Sequence, residues 1–332
     1  MERVLVTGAS GFIAGHVIAE LRAHGYAVRG TARRSVDGVD VVTADLTSDA
    51  GWAEAVDGCD HVMHTASPFP AGSPKSDDEL VRPAVDGTLR VLRAAVDAGV
   101  KRVVLTSSVA AVATGHREEK VRTEADWSVV ERSPAYPKSK TLAERAAWDF
   151  ARESGLELVT VNPGMVLGPL LTPVIGTSTQ VVHQLMARTV PASPKIGFVP
   201  VDVRDVATAH RLALETPQAA GNRYIVAGEH MWVREMAAVL AEEFNPRGYR
   251  VPTGSLPTSL LRVAALFDKT ARLALDFVGR REAVSADKAR GELGWTMRPV
   301  RDTLIDTANS LIELGLVPAP RKPAVTGSSG RS

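Results

Sequence analysis

Short β-rich runs alternate with longer stretches of helical periodicity through the first half of the chain, and this alternation limits the fold more than any other feature. Val4 to Thr7, Tyr26 to Thr31, Val39 to Thr43, His61 to Thr65, Arg102 to Ser107 and Leu156 to Asn162 each read as a buried strand. Between them, Phe12 to His24, Asp78 to Ala98 and Tyr136 to Ser154 repeat apolar residues at spacings of three and four, as amphipathic helices do. Strands joined by helical crossovers lie parallel, so the expected fold class is α/β, built on a doubly wound parallel sheet.

After Asn162 the texture changes. Ten Gly and Pro residues between Pro163 and Pro200 break the chain into short pieces around one helix, Ser178 to Arg188, which suits a lid better than a central strand layer. A helix at Arg204 to Glu215 and a strand at Arg223 to Ala227 are expected to rejoin the sheet. Helices then dominate: Val233 to Phe244, Leu260 to Phe277, Ser285 to Leu293 and Arg301 to Leu314. The expected division is residues 1–163 and about 201–229 for the sheet domain, 164–200 and 230–317 for a smaller, mostly helical substrate domain, and 318–332 for a disordered tail.

Composition narrows the partners. Of 332 residues, 45% are apolar and 23% charged, with a net charge of +1, so no basic face is expected to attract nucleic acid or an anionic membrane. The single cysteine, Cys59, cannot form an internal disulfide and reads as a small buried hydrophobe in a reducing compartment. No apolar run approaches the ~18 residues of a membrane span, and the chain begins in a strand without a leader pattern, so the expected localisation is cytoplasmic. His61 and His64 fall on opposite faces of a strand, and no metal is expected.

Thr7-Gly-Ala-Ser-Gly-Phe-Ile-Ala-Gly15 follows the first strand and opens the first helix. Gly8 and Gly11 permit a tight turn and close backbone approach, so Thr7, Gly8, Ser10, Gly11, Phe12 and Ile13 are the candidates to meet a dinucleotide pyrophosphate at the helix N-terminus. A plain strand-to-helix turn would also use glycine, and the spacing departs from G-x-G-x-x-G, with Ala14 where a third glycine would stand. The second strand runs out as Val-Arg-Gly-Thr-Ala-Arg-Arg34, with no carboxylate before Asp37. A site for the unphosphorylated cofactor wants an acid there, whereas guanidinium groups suit a ribose 2′-phosphate. The expected cofactor is therefore NADPH in a Rossmann domain. Asp45 and Leu46, after the third strand, are placed to reach the adenine, although such an Asp is often only a cap.

Tyr136-Pro-Lys-Ser-Lys140 sets a phenol and an ammonium four residues apart, on one face if helical. The preceding strand ends in Thr106-Ser-Ser108, at the sheet edge where ligands bind in doubly wound folds. A carbonyl receiving hydride needs a proton donor; a tyrosine can serve if a neighbouring cation lowers its pKa, and a serine hydroxyl can orient the same oxygen.

The motifs recur in a familiar order: Thr7-Gly-Ala-Ser-Gly-Phe-Ile, His64-Thr-Ala-Ser-Pro-Phe69, Pro83-Ala-Val-Asp-Gly-Thr88, Thr106-Ser-Ser108, Tyr136-x-x-x-Lys140, Asn162-Pro-Gly164, Val201-Asp-Val-Arg-Asp-Val206 and Lys288-Ala-Arg-x-x-Leu-Gly-Trp295. From residue 2 to about 316 the chain resembles the extended short-chain dehydrogenases/reductases, in the branch of dihydroflavonol 4-reductases, cinnamoyl-CoA reductases and microbial aldehyde and ketone reductases. The resemblance implies that Ser108 is the catalytic serine, Tyr136 the proton donor and Lys140 its partner and a ribose contact. It matches Arg33 to the 2′-phosphate, and Thr65, Ala66, Ser67 and Thr106 to the central part of the cofactor. Pro163, Gly164, Met165 and Val166 correspond to the backbone that meets the carboxamide. It further implies a homodimer, formed through Asp78 to Ala98 and Tyr136 to Ser154, and a small, fairly hydrophobic carbonyl substrate. The stretch Thr114 to Lys120 does not match the pattern plant flavonoid reductases use, which argues against a flavonoid. A nucleotide-sugar epimerase or dehydratase, a hydroxysteroid dehydrogenase and a non-catalytic redox sensor are the rival readings. Arg33 opposes the first, and the Tyr–Lys pair opposes the last.

Overall fold

The computed structural model describes residues 1–68, 76–266, 275 and 278–320. Phe69 of the fourth-strand motif, most of the second half of the helix expected to Phe277, and the tail beyond residue 320 lie outside the described residues.

The chain clusters into two units. The first comprises Met1–Gly168, Phe198–His230 and Arg281–Val300, and the second Pro169–Gly197, Met231–Arg280 and Arg301–Ser332. Arg281–Val300 thus gathers with the sheet.

Unit one is built on seven parallel strands: β1 (Arg3–Thr7), β2 (Ala27–Ala32), β3 (Asp40–Thr43), β4 (His61–His64), β5 (Arg102–Thr106), β6 (Glu157–Pro163) and, last in the chain, Arg223–Val226. A parallel pair of short strands, β7 (Met165–Leu167) and β8 (Pro200–Asp202), lies beside it, so that Arg223–Val226 becomes β9. The order across the large sheet is β9-β6-β5-β4-β1-β2-β3, and every pair is parallel. The direction of winding reverses between β1 and β4, which opens a crevice at their carboxyl ends. The seven-stranded parallel sheet flanked by helices is the Rossmann-type architecture expected from the alternation.

Helices α1 (Phe12–Ala23), α2 (Trp52–Val56), α3 (Asp78–Asp97), α4 (Ala135–Ser154), α6 (Val203–Glu215) and α9 (Asp287–Leu293) belong to this unit. One core joins α1, α6 and α9 to one sheet face through Val4, Val6, Val17, Leu21, Val206 and Trp295. The opposite core joins α2, α3 and α4 through Leu5, Val62, Val91, Leu92, Val103 and Ala147. The alternation of side chains along each strand sends neighbouring residues into different cores, and all-buried strands read as continuous apolar runs for that reason. Trp295 is fully buried, and its indole N–H donates to the Asp205 carbonyl at 2.9 Å. Cys59 is a free, buried thiol.

Unit two holds α5 (Thr177–Met186), α7 (Val233–Phe244), α8 (Thr258–Ala264) and α10 (Val300–Glu313), together with a two-residue parallel pairing of Ser193–Pro194 with Ser255–Leu256. The α10 assignment begins one residue before the unit boundary. No helix among the described residues is long and apolar enough to cross a membrane.

Candidate active site

The turn after β1 is shaped by Gly8, whose φ of +69° disfavours any side chain and whose added Cβ would stand 3.1 Å from the Cα and Cβ of Ala66. The Ala9 N–H goes to the Thr31 carbonyl and that of Gly11 to the Gly8 carbonyl, both at 2.8 Å. Gly11 starts α1 in an extended conformation without a side-chain cap. The N–H groups of Ser10, Phe12 and Ile13 find no acceptor among the described residues. Open donors at a helix start favour an anion.

Arg33 and Arg34 follow the last residue of β2, are exposed, and form no ion pair with a described residue. Asp45 is held by its own turn. Its Oδ1 accepts from the Thr47 N–H at 2.8 Å and the Thr47 hydroxyl at 2.6 Å, and these bonds hold the carboxyl below the usual carboxylate range. Leu46 packs against Gly87 of α3, where a Cβ would fall 2.9 Å from the Leu46 Cβ.

The strand end at His64 carries a network that sequence reading treated only as motif. The Thr7 hydroxyl accepts from the Ala66 N–H at 3.0 Å and lies 2.8 Å from His64 Nδ1, while the Thr65 hydroxyl donates to the Thr7 carbonyl at 2.5 Å. Thr106 is similarly engaged: its hydroxyl lies 2.7 Å from His210 Nε2, and the His210 Nδ1–H donates to the Val206 carbonyl at 2.8 Å. A carbonyl can only accept, so His210 carries its proton on Nδ1 when neutral, and its Nε2 accepts a hydrogen bond from the Thr106 hydroxyl. Gly164 has a packing reason of its own, since a Cβ there would be 1.9 Å from the Val199 carbonyl oxygen.

Ser108 follows β5 as the cap of a short 3-10 turn, and its hydroxyl accepts the Ala110 N–H at 3.1 Å. Tyr136 and Lys140 lie one turn apart near the start of α4. Ser108 hydrogen-bonds the Tyr136 phenol and pulls its pKa down, but burial outweighs that bond and the phenol is raised overall. This corrects the expectation of a net-lowered tyrosine. Tyr136 leaves 38% of its surface exposed, yet the protein around its hydroxyl is dense enough for desolvation to dominate. The same desolvation brings Lys140 down to about 8, against the opposing charge of Glu144. At pH 7 both therefore carry their protons.

Of the candidates, Ser108, Tyr136 and Lys140 sit at the carboxyl edge beside Thr106. Thr7, Gly8, Thr65, Ala66 and Ser67 meet at the crevice between β1 and β4. Sequence reasoning passed over Glu144, His210 and Arg223. The available signal was the four-residue step Tyr136, Lys140, Glu144 along a single helix face.

Comparison with known proteins places this geometry in a family. Residues 4–228 match the NAD dependent epimerase/dehydratase family. The chain is 36% identical to cinnamoyl-CoA reductase 1 of Petunia hybrida over 345 aligned residues, covering 96% of this chain and 94% of that protein. It is 33% identical to tetraketide alpha-pyrone reductase 1 of Arabidopsis thaliana, covering 94% and 96% respectively. Among solved structures it is similar to the yeast methylglyoxal/isovaleraldehyde reductase complexed with NADPH, at a TM-score of 0.77 and 28% identity, covering 94% of this chain and 99% of the other. The chain belongs to the NAD dependent epimerase/dehydratase family, that is, to the extended short-chain dehydrogenases/reductases.

Two buried histidines give this unit a pH signature. Desolvation is the largest cause for both, and it brings His64 to about 3, helped by the Lys140 charge, and His210 to about 4. Unfolded histidines bind protons near 6.5, so between that value and the folded values the unfolded chain holds more protons and acid favours it. Urea-unfolding stability should fall between pH 7 and pH 5 by about 2 kcal/mol for each histidine. A stability that is flat over this interval would contradict their burial as neutral rings.

Proposed function

We propose that the protein is an NADPH-dependent carbonyl reductase of the cytoplasm, acting on a hydrophobic aldehyde or ketone, with Tyr136 as proton donor assisted by Ser108 and Lys140. The observation that carries this reading is the meeting of Ser108, just beyond β5, with Tyr136 and Lys140 on α4, in a chain whose relatives are named for reducing cinnamoyl-CoA, a tetraketide alpha-pyrone, and methylglyoxal or isovaleraldehyde.

The residues present fit the cofactor. The open N–H groups of Ser10, Phe12 and Ile13 suit its pyrophosphate, with Thr7, Gly8 and Gly11 forming the floor of the turn. The exposed Arg33 guanidinium suits a 2′-phosphate, Leu46 and Asp45 border the adenine, and Thr65, Ala66, Ser67 and Thr106 face its middle. Pro163, Gly164, Met165 and Val166 provide backbone for the carboxamide, and Lys140 a donor for the ribose. When bound, NADPH supplies hydride.

The chain's own groups then handle the oxygen and its proton. Raised by burial, Tyr136 stays protonated at neutral pH and so holds a proton for an oxygen becoming an alkoxide, a base strong enough to take it. Ser108 is already hydrogen-bonded to the phenol and orients it toward the same oxygen. The Lys140 ammonium, about nine-tenths charged at pH 7 if its pKa is about 8, opposes the negative charge left on the phenol. Unit two, with α5, α7 and α8, is assigned to substrate selection.

Replacing Tyr136 by Phe removes one oxygen and keeps the ring. NADPH binding should survive, while turnover with a reactive ketone should fall by roughly 10²–10⁴-fold in a stopped-flow assay of NADPH absorbance. Retention of more than about a tenth of the activity, with chemistry rate-limiting, would remove Tyr136 from the role.

For Arg33→Ala, loss of one charge-assisted contact of about 1.5–3 kcal/mol should weaken NADPH roughly 10- to 150-fold and leave NADH nearly unchanged by fluorescence titration. An equal loss for both would reduce Arg33 to a supporting role in the fold.

We also propose a homodimer through α3 and α4, which pack along each other and are tied at their starts by a 2.9 Å ion pair between Asp77 and Lys138. Sedimentation of a monomer alone at micromolar concentration would reject it.

A further inference from the structure

A buried polar row crosses the carboxyl end of the sheet on the face covered by α3 and α4, and its centre is Glu144. The residue is 1% exposed. Its Oε1 accepts from Arg223 Nε at 2.7 Å and from the Thr160 hydroxyl at 3.0 Å. The other oxygen, Oε2, accepts from the Ser107 hydroxyl at 2.5 Å and from Asn162 Nδ2 at 2.8 Å. One side chain on α4 therefore grips β5, β6 and β9 together.

The grip closes around Ser108. Ser107 is its chain neighbour, and Asn162 Nδ2 also lies 3.2 Å from the Ser108 carbonyl oxygen. Arg223 is fixed from behind, donating through Nη1 to the carbonyls of Glu124 and Asp126 at 2.7 and 2.8 Å and stacking 3.7 Å from the centre of the Trp127 ring. On the helix side, Glu144 follows Lys140 by one turn and Tyr136 by two. Lys140, Glu144, Ser107, Thr88 and Ala66 line a common cavity of about 20 Å³, room for about one water.

A carboxylate needed only for stability could pair with Arg223 and stop there. Here two of the five residues that donate to it, Ser107 and Asn162, hold the backbone on either side of the serine, and its charge bears on the lysine. We propose that Glu144 is a positioning residue of the active site: its carboxylate clamps the Ser108 end of β5 to the helix that carries Tyr136 and Lys140, and holds a negative charge one turn from the ammonium. The inference rests on the reductase reading of Ser108, Tyr136 and Lys140.

The groups bearing on Lys140 can be named. Glu144 favours its charged form. His64 on β4 feels the Lys140 charge but remains neutral above about pH 3, so it does not titrate alongside the lysine. Tyr136 on α4 holds its proton through the neutral range, and Arg223 on β9 is already paired with Glu144. Removing the carboxylate while keeping its shape should therefore weaken proton binding at Lys140 without a competing switch nearby.

The test compares Glu144→Gln, Glu144→Asp and Ser107→Ala with the wild-type chain. In Glu144→Gln, turnover at pH 7 should fall at least tenfold with the NADPH dissociation constant changed less than threefold, and the alkaline limb of the turnover profile should move down by about half a pH unit or more. Glu144→Asp, which keeps the charge, should return that limb to the wild-type position while recovering only part of the turnover. Independently of any substrate, lysine labelled with 13C at Cε would follow Lys140 by NMR, its signal identified by loss in Lys140→Arg. That signal should titrate at lower pH in Glu144→Gln. If Glu144→Gln does not fold, Ser107→Ala carries the test, since it removes one ligand and keeps the ion pair: a three- to tenfold drop in turnover supports the clamp, and wild-type turnover overturns it. Wild-type turnover and an unmoved lysine signal in folded Glu144→Gln overturn the proposal, as does a parallel loss of turnover and NADPH binding that tracks the fraction folded. A wild-type protein that oxidises NADPH with no carbonyl compound would instead defeat the reductase reading, whatever the lysine signal does.

Discussion

Reversal of winding between β1 and β4 is the constraint from which the site follows. Parallel strands end together, and at a reversal the two connecting helices leave in opposite directions, so the carboxyl ends of β1 and β4 are not covered by a crossover. The Gly8 turn, the open N–H groups at the start of α1, and the Thr65–Ser67 stretch all stand at this one place. The next strand, β5, delivers Ser108 to the same edge, and α4 brings Tyr136 and Lys140 down over it.

Burial of polar groups at that edge decides their protonation. Desolvation pushes His64 and His210 down to neutral rings, lowers Lys140 to about 8 and raises Tyr136, so a single physical cause acts on all four. Charge partners act against it more weakly, as Glu144 does at Lys140. A reductase working near neutral pH benefits from this balance, because its phenol is loaded with a proton and its lysine is still mostly charged. Glu144 is tolerated in the interior because its two oxygens accept hydrogen bonds from five residues.

Much of this was legible in the sequence, for reasons tied to periodicity. The parallel sheet followed from all-apolar strands alternating with helices, and Tyr136 and Lys140 shared a helix face because four residues make about one turn. Glu144 lay one further step along that face and was passed over. A lone glutamate in a helix normally faces water, and only Asn162, Thr160 and Arg223, brought in by other strands, make this one interior. Nothing in the sequence showed that the Asp45 carboxylate would accept from both the N–H and the hydroxyl of Thr47. The β7–β8 pairing was hidden in a segment rich in Gly and Pro, and α2 at five residues was too short to show a period. The tyrosine pKa was expected to follow its charged neighbour, whereas the depth at which its oxygen lies governs the result.

The central claim is that this edge directs a hydride to a carbonyl carbon and a Tyr136 proton to its oxygen. The most direct measurement uses NADPH carrying deuterium on one or the other face of C4, with a hydrophobic ketone, and locates the label in the alcohol by mass spectrometry. The account predicts that one of the two labelled forms places its deuterium on the carbinol carbon while the other gives unlabelled alcohol. Alcohol formed without deuterium from either form, or no alcohol at all across a panel of aldehydes and ketones, would contradict it.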